Sequence, residues 1–232
     1  MMPTYGKTYL IALFALFSLS AQAQPPRRAF IRAVGDATVS VKPDEARIQF
    51  SVVTQASTAQ EAANQNANQV NAVLAALRGL LGPNADLKTL SYSLFANYSN
   101  PQGGGQPVLV GYTASNTIEV TLSDLSLIGK VIDTGIQAGA NRVQGLQFGL
   151  KDNQPQRAQA LKLATVEAKA HADAMASGLG LKTGAAISIQ EGTSISPQPI
   201  RVGTAAPTAT TPVETGLVDV RATVTLEVEI AP

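Results

Sequence analysis

The sequence contains no cysteine and only one histidine among its 232 residues. The first absence excludes disulfides and thiolate chemistry, so core burial must hold the fold unaided. The second excludes a histidine-rich metal centre, because His171 has no second His or any Cys to share an ion with. Charge is scarce too. Asp, Glu, Lys and Arg make up 14% of the chain, against about 25% in ordinary soluble domains. So few charges point to surface hidden by self-association, with Ser, Thr, Asn and Gln as the other source of surface polarity. The formal net charge is +1, and without a basic surplus neither nucleic acid nor an anionic membrane is expected as the main partner.

Several catalytic signatures are missing as well. Gly103-Gly104-Gly105 is not followed by the Gly-Lys-Ser/Thr of a phosphate loop, which makes it a hairpin tip. The chain has no Gly-x-Ser-x-Gly nucleophile context and no Asp-x-Asp-x-Asp-Gly calcium loop. His171 reads as a residue of a helix surface or core edge. Asp44 and Glu45 read as turn and cap residues, and Asp36, Glu227 and Glu229 as solvated strand residues. No residue is assigned a catalytic, cofactor-binding or metal-ligating role, and no cofactor is expected.

No apolar run reaches the ~20 residues that span a bilayer. The one near the start, Leu10 to Phe17, follows Lys7 and precedes Ala21-Gln22-Ala23. That order predicts a signal peptide over 1–23 cleaved after Ala23, an exported chain of 24–232, and residence in the periplasm or cell envelope with no stable membrane span. Removing Lys7 takes Lys+Arg from 17 to 16 against Asp+Glu 16, so the exported chain is formally neutral.

What is present is alternation. From Leu217 to Ile230, Val218, Val220, Ala222, Val224, Leu226, Val228 and Ile230 share one side, and Asp219, Arg221, Thr223, Thr225, Glu227 and Glu229 the other. A period of two this long predicts a strand with one dry face, and hence an antiparallel sheet. Similar patterns run from Ile31 to Val41 and from Ala46 to Val52, and their junction at Lys42-Pro43-Asp44-Glu45 predicts a hairpin. Leu90 to Tyr98 and Val108 to Leu122 predict a second hairpin, Val143 to Leu150 a further strand, and Ile187 to Ile189 a short one.

Helical spacing separates these strands. Thr58 and Glu61 form a capping box for a helix with Ala63, Val70, Val73, Leu74, Leu77 and Leu81 on one stripe, ended by Gly82-Pro83. Its other face carries Asn64, Gln65, Asn66, Asn68, Gln69 and Asn71, read as solvated, with an intersubunit contact as the alternative. Asp124 caps a second helix through Ile136. A third runs from about Gln156 to Ser177, with Leu161, Ala168, Ala172, Met175 and Leu179 on a narrow stripe and Gly178 as the stop. Residues 193–215 are rich in Pro, Thr, Ala and Ser, which predicts a disordered or docking arm. The resulting fold class is α+β, with antiparallel strands and helices mainly on one face, and with one sheet or two left open.

Taken together, Val34 to Asp44 with Ala46, the helix start at Thr58 to Ala62, Gly111-Tyr112-Thr113-Ala114-Ser115-Asn116, Asp124-Leu125, Gly139-Ala140-Asn141, Phe148, the alanine-rich Ala160 to Gly180 and Pro212 to Gly216 resemble the SIMPL-domain family. The usual Gly-x-Gly of its first strand is here Gly35-Asp36-Ala37. The resemblance covers nearly all of 24–232. It implies an α+β fold, export or envelope association in bacteria, and in some members ring- or channel-like homo-oligomers. It also implies roles in oxidative or other stress, or signalling adaptation in an animal member, and it carries over no catalytic residues.

Two expectations follow. The first is a non-enzymatic, oligomeric periplasmic scaffold or binding module, with an envelope protein as a further partner. The alternative is a small-ligand carrier or enzyme with a site at a subunit interface, where Tyr92, Tyr98 and Tyr112 meet Arg and Asp residues.

Overall fold

The computed structural model describes residues 29–100, 105–192, 198–199 and 212–232. The expected signal peptide, and 193–197 and 200–211 of the Pro/Thr-rich arm, lie outside the described residues. In chain order the elements are β1 (Phe30–Val41), β2 (Glu45–Ala56), α1 (Ala59–Leu81), β3 (Asp86–Ser99) and β4 (Val108–Leu122). A 3-10 turn (Leu125–Leu127) then leads into α2 (Ile128–Gln137), β5 (Arg142–Gly149), α3 (Gln154–Gly178), β6 (Lys182–Glu191), β7 (Gln198–Pro199) and β8 (Val218–Ala231). The class is α+β, and every strand pairing is antiparallel.

Among the described residues there are two sheets. One runs β1-β8-β6, with β7 also on β8, and the other runs β3-β4-β2-β5. The expected hairpin of β1 and β2 is therefore wrong. β1 pairs along its length with β8, from Phe30↔Glu229 to Val41↔Val218, while β2 pairs with β4 and β5. The two strands belong to different sheets, and Lys42 to Asp44 carries the chain across. Asp44 pins this crossing: its N–H donates to the Gly149 carbonyl at 3.1 Å, and its Oδ1 accepts from the Lys151 N–H at 2.8 Å. Alternation marks a strand's dry face without naming its neighbour, so a short junction looked like a turn. The second expected hairpin, β3 with β4, forms as anticipated.

Helices α1 and α2 cover one face of the β3-β4-β2-β5 sheet. The core between them holds Ile48, Phe50, Val52, Val73, Leu77, Ile118, Val120 and Val131, all fully buried. Burying each such side chain contributes about 1.5–3 kcal/mol. Helix α1 begins as its capping box requires, with Thr58 Oγ1 accepting from the Glu61 N–H at 3.2 Å, and ends at Gly82 with φ +92°. Its buried stripe, however, runs Ala62, Asn66, Val70, Val73, Leu77. Asn66 is not on a solvated face. It is 1% exposed, and its Nδ2 donates to the carbonyls of Val52 at 2.8 Å and Ala114 at 3.3 Å.

Helix α3 covers the other sheet through an alanine at every fourth residue, Ala160, Ala164, Ala168, Ala172 and Ala176, all fully buried. Met175 and Leu179, expected on that stripe, are exposed. Small side chains let the helix backbone come close to β1, and bulkier ones would hold it off. The helix also runs through Gly178, and it is Gly180 that takes the positive φ, +72°. Val213, before β8 in the chain, packs against the α1–α2 core.

Candidate functional site

Several charged residues of the β1-β8-β6 sheet are engaged by neighbours on the adjoining strand. On its uncovered face Arg32 Nε donates to Glu227 Oε1 at 2.8 Å, and Ser188 Oγ donates to Glu227 Oε2 at 2.9 Å. These partners, Arg32 first, hold the Glu227 carboxyl below its ordinary value. Ser40 donates to Asp219 and Thr223 to Asp36, each at 2.6 Å. All are cross-strand neighbours in the ladder, the usual unit of sheet stabilisation.

His171 has an equally local partner. Its Nδ1 donates to the Val34 carbonyl at 2.7 Å, while Glu167 Oε2 accepts from the Asp36 N–H at 2.6 Å. Val34 and Asp36 flank Gly35 on β1, an edge strand, so two α3 side chains satisfy edge backbone groups that would otherwise be open. Further along α3, Asp173 accepts from Lys169 and from Thr183 of β6, and both contacts lower its pKa.

Two cavities share Glu45 at one end of the β3-β4-β2-β5 sheet. One, of about 400 Å³, is lined among others by Glu45, Asp86, Ser123 and Asp124. The other, of about 380 Å³, is lined by Glu45, Arg47, Gln147, Phe148 and Asn153 among others. Glu45 is paired with Arg47 at 2.7 Å, and Asp124 caps the 3-10 turn by accepting from the Ser126 N–H at 3.0 Å. Asp44 and Glu45 diverge as expected of neighbours, Asp44 to the β5–α3 turn and Glu45 to these cavities.

The β3–β4 hairpin is the feature that the local structure does not absorb. No charged residue lies between Lys88 and Glu119, yet the hairpin exposes Leu90, Tyr92, Phe95, Tyr98, Val108 and Val110. Phe95 is 58% and Tyr98 61% exposed. Among the described residues β3 is an edge strand, so its apolar side chains sit beside backbone donors and acceptors that no described strand pairs with. The three tyrosines do fall on this one hairpin, with Tyr112 half-buried opposite Ala96, Tyr92 opposite Asn116 and Tyr98 opposite Leu109. The hairpin contains no Arg, and its one Asp, Asp86, stands at the start of β3, away from Tyr98 and Tyr112. The sequence shows both strands, but side-chain exposure depends on how far α1 reaches across the sheet, which no local pattern encodes.

Motif residues that resemble the family have structural explanations here. Asn141 imitates a strand pair with Val53, accepting from its N–H at 3.0 Å and donating to its carbonyl at 2.7 Å. Gly111 has φ +150°, and a Cβ there would lie 2.8 Å from the Ala56 carbonyl oxygen.

Residues 31–228 match the family model SIMPL, described as "Protein of unknown function (DUF541)". The chain is 31% identical over 183 residues to the "26 kDa periplasmic immunogenic protein" of Brucella melitensis, covering 73% of this chain and 72% of that protein. It is 27% identical over 212 residues to the "Uncharacterized protein YggE" of Edwardsiella ictaluri, covering 88% of each. With the Escherichia coli K12 protein of the same name it shares 27% over 182 residues, 78% of this chain and 73% of that one. Among the described residues no helix is long and apolar enough to cross a membrane.

Proposed function

The chain belongs to the SIMPL family, and from that premise we propose that it is an exported, non-enzymatic periplasmic protein that assembles with copies of itself. In that form it serves as a scaffold or binding module in defence against oxidative stress. The observation that carries this reading is the β3–β4 hairpin, uncharged between Lys88 and Glu119, whose exposed aromatic and aliphatic side chains are what an interaction surface presents. The periplasmic relative supports the location. The near-neutral charge supports assembly, since copies of the chain do not repel one another.

A second reading, a small-ligand carrier or enzyme, is favoured by the two cavities at Glu45, whose volumes fall within the roughly 300–1,000 Å³ range of ligand sites. One experiment separates the two. A deletion strain sensitive to peroxide is complemented with a variant carrying Glu45→Gln, Asp86→Asn, Asp124→Asn and His171→Gln, after circular dichroism has shown that the variant folds. Full rescue supports the scaffold, and failure with the folded variant favours the cavity. Light scattering of the signal-free protein is expected to give a multiple of the monomer mass. Deletion of Pro197 to Pro212 is expected to lower that mass.

A further inference from the structure

We propose that the free edge of β3 is the surface through which two copies of this chain join, each extending the other's sheet by antiparallel pairing across a two-fold axis. This inference rests on the self-assembly reading above and names its interface.

Among the described residues β1, β6, β3 and β5 are sheet edges, and β1 and β3 are treated differently. On β1, Glu167 and His171 of α3 occupy the Asp36 N–H and the Val34 carbonyl. On β3 the edge carries exposed Tyr92, Leu94 and Phe95 and, beyond Lys88, no charge. Edge strands of monomers are normally blunted by lysine, proline or covering segments, because an open apolar edge templates pairing.

The segment suits a copy of itself. Two ladder irregularities, between Thr89 and Ser91 and between Asn97 and Tyr98, bracket the regular run Ser91-Tyr92-Ser93-Leu94-Phe95-Ala96-Asn97. The extra residue is Leu90 on β3 in the first and Val110 on β4 in the second; such irregularities bend the ladder, and the regular run between them is centred on Leu94. About that centre Leu94 meets the partner's Leu94, and each Tyr92 lies over the partner's Ala96, a large side chain against a small one. Ser91 meets the partner's Asn97, polar against polar. Asp86 and Lys88 fall outside the run, so no like charges face each other. An isologous contact of this kind closes on itself instead of growing into a fibre.

The absence of cysteine makes the test clean. In the full signal-free chain, Leu94→Cys leaves one thiol per copy, so any disulfide is intermolecular. Directly opposed residues of antiparallel strands lie about 4.5–5.5 Å apart between Cα atoms, within the disulfide range. Mild oxidation is expected to convert most of the Leu94→Cys protein into a covalent dimer. Arg221→Cys, exposed on the other sheet, is expected to give little. Tyr92→Lys, which places charge on the exposed edge, is expected to lower the assembly mass measured by light scattering without changing the circular dichroism spectrum.

An assembled parent protein that fails to cross-link at residue 94 and ignores Tyr92→Lys overturns the β3 interface and leaves the scaffold reading standing. A monomeric parent overturns both. Equal cross-linking at 94 and 221 reports random collision and also overturns the interface. A monomer that binds neutral lipid vesicles only through intact Tyr92 assigns the edge to a membrane and overturns the pairing.

Discussion

A Cβ placed on Gly35 would lie 2.1 Å from the carbonyl oxygen of Ala164 and 2.3 Å from the backbone nitrogen of Ala168. These are backbone atoms of a helix seated on its sheet by an alanine ladder, and they have no rotamer to move aside. Gly35→Ala must therefore push α3 away from β1. It would also strain the flanking bonds of His171 and Glu167, since both reach residues adjacent to Gly35. The expected loss is at the upper end of the roughly 1–3 kcal/mol typical of overpacking, or beyond it. Urea denaturation of the variant against the parent measures it, and a loss under about 0.5 kcal/mol would contradict so tight a seat.

Asn66 gives a prediction of opposite chemistry. Its amide lies in the dry α1 interface and donates to two strand carbonyls, Val52 and Ala114. Asn66→Asp replaces donors with a carboxylate aimed at carbonyl oxygens, and burial raises the pKa of such a group above its unfolded value. A raised pKa means that the folded state holds the proton more tightly. The penalty is therefore small below the unfolded value near 3.9 and grows as pH rises above it. The variant is expected to lose a few kcal/mol at pH 7 and noticeably less at pH 3. An equal loss at both pH values would show that ionisation plays no part.

The strands of this fold were legible because valine, isoleucine and leucine alternate with polar residues over long runs, as from Val218 to Ile230. Strand partners were not legible. Alternation fixes a buried face but says nothing of which strand lies alongside, and the short junction that predicts a β1–β2 hairpin instead joins two sheets. Asn66 escapes the local pattern because the carbonyls that accept from its Nδ2 lie 14 and 48 residues away. The alanine ladder is only half legible, since Met175 and Leu179 outweigh alanine in any hydrophobic stripe. The hairpin's missing charge could be read directly from the sequence. That the edge of β3 stands open could not, because it depends on the strand order of the folded sheet.

Arg32 and Glu227 face each other in register across β1 and β8. Glu227 has a pKa lowered by Arg32 and then by Ser188, so the pair contributes stability above the unfolded carboxyl value and loses it as pH falls through the lower folded value. In Arg32→Met the midpoint of the Glu227 side-chain carboxyl, followed by NMR, is expected to rise. The thermal midpoint is expected to fall at pH 7 and to match the parent once both carboxyls are protonated. Raised salt should shrink the pH 7 difference, because the pair is solvent-exposed. An unmoved Glu227 midpoint would mean that the contact is not maintained in solution.

Gly79 lies inside α1, two residues after the buried Leu77, on a turn where a Cβ would meet nothing within 4 Å. A glycine there spends backbone entropy on folding without any close approach or positive φ to justify it. Gly79→Ala is expected to stabilise the protein by roughly 0.5–1 kcal/mol, which is the difference in helix propensity between the two residues. The same change at Gly135 in α2 would place its Cβ 2.6 Å from the ring of the fully buried Phe50 and is expected to destabilise. The pair thus separates propensity from packing: both positions are helical glycines, and only their surroundings differ. Thermal denaturation of the two variants should move the midpoint in opposite directions. If Gly79→Ala also destabilises, the space beside that turn is not open as the structure has it.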